Sequence, residues 1–380
     1  MTDTLATQTE PKAGRGTWRL SWRGLRLITE LELKQRVRST KWKWALATFG
    51  AIVGVVTLLL SGAMSSVFGM GGGGSDNTSD VLFGVVVFFV LGLGLLVSPT
   101  LSATSINGDS KEGTLAPLQA TALSSIDIVV GKLIGAWVAS LAFLVVALPF
   151  IIFSYFLSNA PAFAMLTTVI VLAIELLVVC AIGLGWSAIT ARTPASAVLT
   201  YVTIACLTVI SLILFGLTYP LVTQQTTVQV YDSQNYDENT GYAKDCAFRE
   251  QSMNVARTDR TWWLLAMNPF VIVADAAPSN DDVATTNREY YGNQTMLGGI
   301  KYGVRTLRLG PAKVENWCYQ GDDEALLPEE IARQEQLSHL SPIWPYGLAF
   351  HALLAGGALW LAVRRVEVPH GKLATGTRVA

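Results

Sequence analysis

Val130–Leu157 reads VGKLIGAWVASLAFLVVALPFIIFSYFL, 28 residues among which Lys132 is the sole charge. A helix rises about 1.5 Å per residue, so roughly 20 apolar residues cross the hydrocarbon of a bilayer. The stretch is long enough to span, and it lacks the polar face that a surface helix of a soluble domain carries. Five further stretches match it: Ala45–Met64, Val81–Thr104, Ala162–Ser187, Ala195–Tyr219 and Ile343–Val363. The expected fold is an all-α integral membrane protein of six transmembrane helices. Composition agrees, with 51% hydrophobic and 14% charged residues, where a soluble domain carries about 25% charged.

Charge along the chain sets the expected direction. The first 43 residues hold ten of the 27 Lys and Arg, and the first apolar run starts only near Ala45, which is not the layout of a cleavable signal peptide. Residues 1–16 read as a flexible N-terminus, 17–43 as an amphipathic interfacial helix, 44–219 as the first five spans, 343–363 as the sixth and 364–380 as a tail. With both termini cytoplasmic, the basic cluster Arg15–Lys43 and Lys111, Lys132, Arg192, Arg364 and Arg365 all fall inside. The short outer loops Ser65–Asp80 and Ser158–Pro161 then hold no Lys or Arg, as the positive-inside rule requires. The expected location is the plasma membrane.

Residues 220–342 are expected outside, where a long loop translocates regardless of its ten basic residues. Seventeen Asp and Glu make this insertion acidic, and the alternation of Thr223–Val230 hints at a strand. Within it, Trp262–Ala277 (WWLLAMNPFVIVADAA) is an apolar run too short to span and is broken at Asn268 and Pro269. It reads either as a re-entrant hairpin or as a buried helix of an outer domain. Cys246 and Cys318 both lie in this insertion, either as free thiols or as a bridge. A bridge would close a loop of about 70 residues and contribute roughly 4 kcal/mol on the chain-entropy model. Cys180 and Cys206 lie in apolar runs, and no cysteine has metal-ligand spacing. No metal is expected.

Two segments of the inner side carry the functional reading. Trp18, Trp22, Leu25 and Ile28 recur at helical spacing among Arg19, Arg23 and Arg26, the pattern of a basic helix in the headgroup layer. Such a helix is a membrane anchor or, in addition, a contact for a cytoplasmic partner. The second segment is SPTLSATSINGDSKEGTLAPLQATALSSIDIVVGKLIGAW, Ser98–Trp137. Asp109, Lys111 and Glu112 precede Gly113 and Thr114. Leu115, Leu118 and Leu123 follow at near-helical spacing, and Ser124 or Ser125 is placed to cap a helix before Asp127. Charges followed by a short half-apolar helix suit docking against a soluble protein, although a plain loop has a similar charge content.

The string Ala103–Gly135 resembles the signature region of the type-two ATP-binding-cassette permease family, approximately SI..ER..GTLE.LL.TPLS...IV.GK. Ser105, Ile106, Gly113, Thr114, Leu115, Leu118, Thr121, Leu123, Ser124, Ile128, Val129, Gly131 and Lys132 stand where that pattern places them. Asp109 and Ser110 replace its Glu and Arg, and Pro117 interrupts its Leu-rich helix. The resemblance implies a coupling helix at about 105–127 that docks on a separate ATPase subunit, with Arg19, Arg23 and Arg26 of the amphipathic helix as a second contact. It further implies dimerisation with a second permease chain and re-entrant outer helices before the last span. LLAMNPF, with Asn268, Pro269 and Phe270, is similar to the family's LNPF element. ATP and Mg would belong to the partner, and no cofactor is expected on this chain.

Ionisable groups within spans are costly and therefore mark candidate sites. Glu175 and His351 are two such groups, read as a structural hydrogen bond, a dimer contact or part of a polar path. The chain has no G-x-x-x-x-G-K-[ST] string, and Gly71–Gly74 is not followed by one. H-E-x-x-H and G-x-S-x-G are absent as well, which weighs against a membrane-embedded lipid or glycan enzyme. The expectation is a non-enzymatic permease subunit that exports an amphipathic or hydrophobic substrate, with membrane lipids and no nucleic acid among its partners. An ion- or proton-coupled carrier is the alternative.

Overall fold

The computed structural model describes residues 18–69, 75–113, 123–158, 161, 163–235, 243, 245–278, 295–318 and 327–367. The N-terminal 16 residues, the Gly71–Gly74 tip, Thr114, Leu115 and Leu118 of the coupling segment, and most of the 364–380 tail lie outside them. The acidic pairs at Asp281 and at Asp322 do so too.

Six helices are long and apolar enough to cross a membrane, which makes this a multi-pass membrane protein. In chain order, α1 (Trp22–Arg38) leads through a break at Ser39 into α2 (Thr40–Gly69), the first span. The second span is α3 (Ser75–Ser102), and a turn at Ala103 and Thr104 separates it from α4 (Ser105–Glu112). Next come α5 (Ser125–Leu157) and α6 (Ala164–Ile189), the third and fourth spans. The fifth is α7 (Thr193–Ala205) and α8 (Ser211–Thr218), joined by a π-helical turn at Cys206–Ile210. The sixth is α13 (Trp344–Val366).

Three boundaries differ from the sequence reading, each for a local reason. The amphipathic helix stops at Arg38, five residues short of its expected end at Lys43, because Ser39 turns extended. The third span begins at Ser125 rather than Val130. Ser124 caps it, its hydroxyl accepting from the Asp127 amide while the Asp127 carboxylate accepts from the Ser124 amide, a reciprocal capping box. The proposed 105–127 helix is also not continuous in its described parts. It stops at Gly113, whose φ of +73° places it in the left-handed region, where glycine terminates helices at no steric cost.

Between the fifth and sixth spans the described residues form a three-stranded sheet and four short α-helices. β1 (Thr223–Asp232) pairs antiparallel with β2 (Ala247–Ala256), Thr223 facing Ala256 and Asp232 facing Ala247. β3 (Val314–Asn316) lies parallel to β1, giving the order β2-β1-β3. The alternation of Thr223–Val230 falls on β1, where Val228 and Val230 point inward. The helices are α9 (Trp263–Ala266), α10 (Pro269–Ala276), α11 (Met296–Leu309) and α12 (Pro328–His339). Cys246 is bonded to Cys318, with Cα atoms 6.0 Å apart, tying the start of β2 to the end of β3.

The core lies where α3, α5 and α6 meet, with Val87, Leu91, Ala147, Ile151 and Leu172 buried. Ile272, Val273 and Ala274 of α10 belong to the same cluster. The helices between β2 and β3 are therefore packed into the helical bundle.

Candidate functional site

Two buried polar junctions, one at each end of the bundle, take in Asp109, Glu175, Asn268 and His351 of the residues that the sequence reading singled out.

The first is where α1 packs along α5. Both Gly131 and Gly135 face α1, and a Cβ at either would meet Ile28 or Glu32 at 2.8 Å, so small residues set the close approach. The amide of Ser21 donates to Asp127 at 2.7 Å, and the Ser124 hydroxyl donates to the Arg19 carbonyl at 2.9 Å. Lys132, 1% exposed, sits at the centre. Its Nζ lies 2.5 Å from Glu32 of α1 and 2.6 Å from Asp109 of α4, and 3.5 Å from the Ser105 hydroxyl. Arg36 lies 3.6 Å from the second Glu32 oxygen and donates to the Leu101 carbonyl at the end of α3. One ammonium has three donor hydrogens and all three find acceptors here, so Lys132 joins α1, α4 and α5 in a single network.

The base of α4 is fixed separately. The Asn107 side chain donates to Ser196 of α7 at 2.8 Å and accepts from Ser187 of α6, whose oxygen in turn accepts from the Ile106 and Asn107 amides. Ser196 donates to the Ala103 carbonyl at 2.5 Å. By contrast Lys111, Glu112 and Gly113 at the tip of α4 are exposed. Asp109, grouped with them in the sequence reading as a partner contact, is turned toward Lys132 instead. Arg23 and Arg26 on α1, and Arg19 just before it, are exposed, and on α1 Glu30 is held below the usual carboxylate range by its hydrogen bond to Lys34.

The second junction is at the break between α9 and α10. Asn268 caps α10 by accepting from the Phe270 amide, and its side-chain amide donates to the Thr208 carbonyl and the Ser211 hydroxyl, at 2.7 and 3.2 Å, beside the π turn of the fifth span. Pro269 occupies the first helical position, where its missing N–H leaves nothing unsatisfied. Phe270 packs edge-on against Phe88 of α3, centroids 5.3 Å apart. His351 of α13 lies 2.9 Å from Glu175 of α6 through Nδ1 and 2.9 Å from the Met267 carbonyl through Nε2, with both side chains 1% exposed. A carbonyl only accepts, so Nε2 carries a hydrogen, and a second proton is shared between Nδ1 and the carboxylate. The pair is therefore net neutral, the form a low-dielectric interior tolerates.

Glu175 lies eleven residues from Ala164 and His351 seven from Trp344, which places them about 16 and 10 Å inside their helices. The α9–α10 hairpin reaches that depth. Gly347 admits it, since a Cβ there would collide with the Ala266 carbonyl and the Ile272 side chain. Asp275 holds the other end of α10. Its carboxylate accepts from the Ile343 and Trp344 amides at the start of α13, at 2.5 and 2.8 Å, and from Arg305 of α11 at 2.8 Å.

Sequence reasoning missed Lys132, Glu32, Asn107 and Asp275 as junction residues. Lys132 and Asp275 each interrupt an apolar run, the same signal that marked Glu175 and His351. Glu32 and Asn107 give no such signal. Among the described residues no three His, Cys, Asp or Glu side chains form a group able to hold a metal. No protein-family model matches the chain, and no curated protein matches it.

Proposed function

We propose that this chain is the permease subunit of an ATP-binding-cassette exporter, working as a dimer in the plasma membrane with both termini cytoplasmic and driven by a separate ATPase. In this reading the exposed tip of α4 docks on the ATPase, the α9–α10 hairpin is re-entrant from the outer face, and the sheet with its disulfide is extracellular. Resemblance over Ser98–Trp137 supports it. The single observation that carries it is the buried Lys132, which ties the exposed tip at Lys111–Gly113 to α1 and α5. A push on that tip has a rigid route into the helices, because displacing α4 alone would strip Asp109 from a buried ammonium. The absence of a nucleotide motif in the sequence puts the energy source on another polypeptide.

The test is reconstitution with the cassette ATPase encoded nearest to it. Co-elution and vanadate-sensitive ATP hydrolysis are expected, with Gly113→Trp uncoupling hydrolysis from transport while membrane insertion stays intact. No association with any cassette ATPase, or full transport in Gly113→Trp, would sink the reading. A proton-coupled carrier is the second reading, favoured by the buried Glu175–His351 pair. It would show as substrate movement driven by a proton gradient without ATP.

A further inference from the structure

Outside both junctions, α1 carries an open groove of about 600 Å³ along its length. Two parallel rows of residues at i, i+4 spacing line it. Leu25, Thr29, Leu33 and Val37 form an apolar row, and Arg26, Glu30, Lys34 and Arg38 form a charged row beside it. Residues four apart stack on one helix face, so the groove has a greasy floor and a basic rim. Glu30 is taken by Lys34 at 2.7 Å. Among the described residues Arg26 and Arg38 form no ion pair, and both are exposed.

The far wall is Ile134 of α5. Further along that helix Val138 and Val145 follow at one and three turns, 36% and 60% exposed, on an exposed apolar face of α5. The floor therefore runs on to an apolar stripe of a membrane span. Trp22, 79% exposed at the head of the groove, is a side chain suited to the headgroup layer.

We propose that the groove is a binding site for an anionic phospholipid, its acyl chain on the Leu25–Val37 floor and its phosphate at an end of the rim, on Arg26 or on Arg38, which stand about 18 Å apart along the helix. A long apolar floor rules for an acyl chain, and two exposed guanidiniums outside any salt bridge, suited to phosphate by their fork of donors, rule for a negative headgroup over a zwitterionic one, although Arg26 also lies in the field of Glu30. In a multi-pass protein the bilayer supplies such a ligand at high local concentration. Arg26 then belongs to the lipid site, leaving Arg23 of α1 and Arg19 just before it as the basic residues free for an ATPase. The site does not depend on the exporter reading.

The test uses the full-length protein purified in mild detergent and titrated with phosphatidylglycerol or phosphatidylcholine, with bound lipid counted by native mass spectrometry. At least tenfold preference for phosphatidylglycerol is expected, lost in the surface double variant Arg26→Glu, Arg38→Glu. Leu33→Trp, which fills the floor, should reduce retention of both lipids. Glycerol phosphate at equal concentration should not compete, because it lacks the chain that the floor holds. Equal retention of the two lipids by the wild type, or unchanged preference in the charge-reversed variant, overturns the proposal. So does competition by glycerol phosphate, which would make the rim a simple anion site, or a polypeptide retained in the groove in place of lipid.

Discussion

The two ends of the bundle solve the burial of charge differently. At the α1 end a single ammonium, Lys132, serves carboxylates from two other elements and a hydroxyl, with Arg36 completing the balance. At the hairpin end the load is divided. Glu175 has His351, Asp275 has Arg305 and two amides, and Asn268 makes its own bonds to the fifth span. The first arrangement concentrates three elements on one side chain. The second lets each contact fail separately, and the Glu175–His351 pair can relieve strain by settling as two neutral groups. Concentration suits a part that must move as a unit, whereas division suits one that must stay anchored.

Lys132→Met should break the comparison most severely. It strands Glu32 and Asp109 together, and removing one partner of a buried network costs about 5 kcal/mol at the upper end of the usual range. Thermal unfolding in detergent should collapse, and the triple variant with Glu32→Gln and Asp109→Asn should recover most of the loss. If Lys132→Met alone unfolds at the wild-type temperature, the hub is not structural. Reducing Cys246–Cys318 comes next, at about 4 kcal/mol on the chain-entropy model. Because the bridge lies wholly at the hairpin end, limited proteolysis should show the sheet loosening while cleavage near α1 is unchanged.

A smaller effect is expected from His351→Ala, about 3 kcal/mol, since it removes the partner of a single buried carboxylate rather than of two. Glu175→Gln, His351→Gln together should be milder than His351→Ala, and a double-mutant cycle should give a coupling near 1 to 3 kcal/mol. Additive effects would mean that the two do not share a proton. The smallest effect concerns Asp259, whose carboxyl the Arg257 side chain holds below the usual range through hydrogen bonds of 3.0 Å. A depressed acid stabilises above its unfolded pKa and loses that contribution as pH falls through the folded value. The pair is half-buried yet still reached and screened by solvent, so Arg257→Ala should remove under about 1 kcal/mol near neutrality and nothing in strong acid. Acid titration of the melting temperature in both proteins checks the sign.

The two ends also differ in how much of them could be read beforehand. Glu175 and His351 announced themselves because an ionisable group inside a 20-residue apolar run has few explanations, and their partnership needed only that two such groups exist. The Asn268–Pro269 break was visible for the same reason. Lys132 was visible as a basic residue near the start of a span, but Glu32 and Asp109 are ordinary charges on polar helices. Nothing local distinguishes Asp109, which turns inward, from Glu112, three residues on and exposed.

Hydropathy alone marked six helices long and apolar enough to cross a membrane, because the cost of unpaired backbone in hydrocarbon leaves long apolar helices few alternatives. Local sequence also fixes where α10 begins and holds the capping residue of α5, since Asn268 and Ser124 cap helices through bonds a few residues away, although hydropathy placed the start of the third span at Val130. Only the tertiary structure decided that α1 lies in the glycine-lined seam of α5, that the α9–α10 hairpin enters the bundle to the depth of Glu175, and which carboxylates Lys132 serves. Those contacts join residues as far as 176 positions apart, and side-chain pairing at such separations follows from packing geometry that no local pattern encodes.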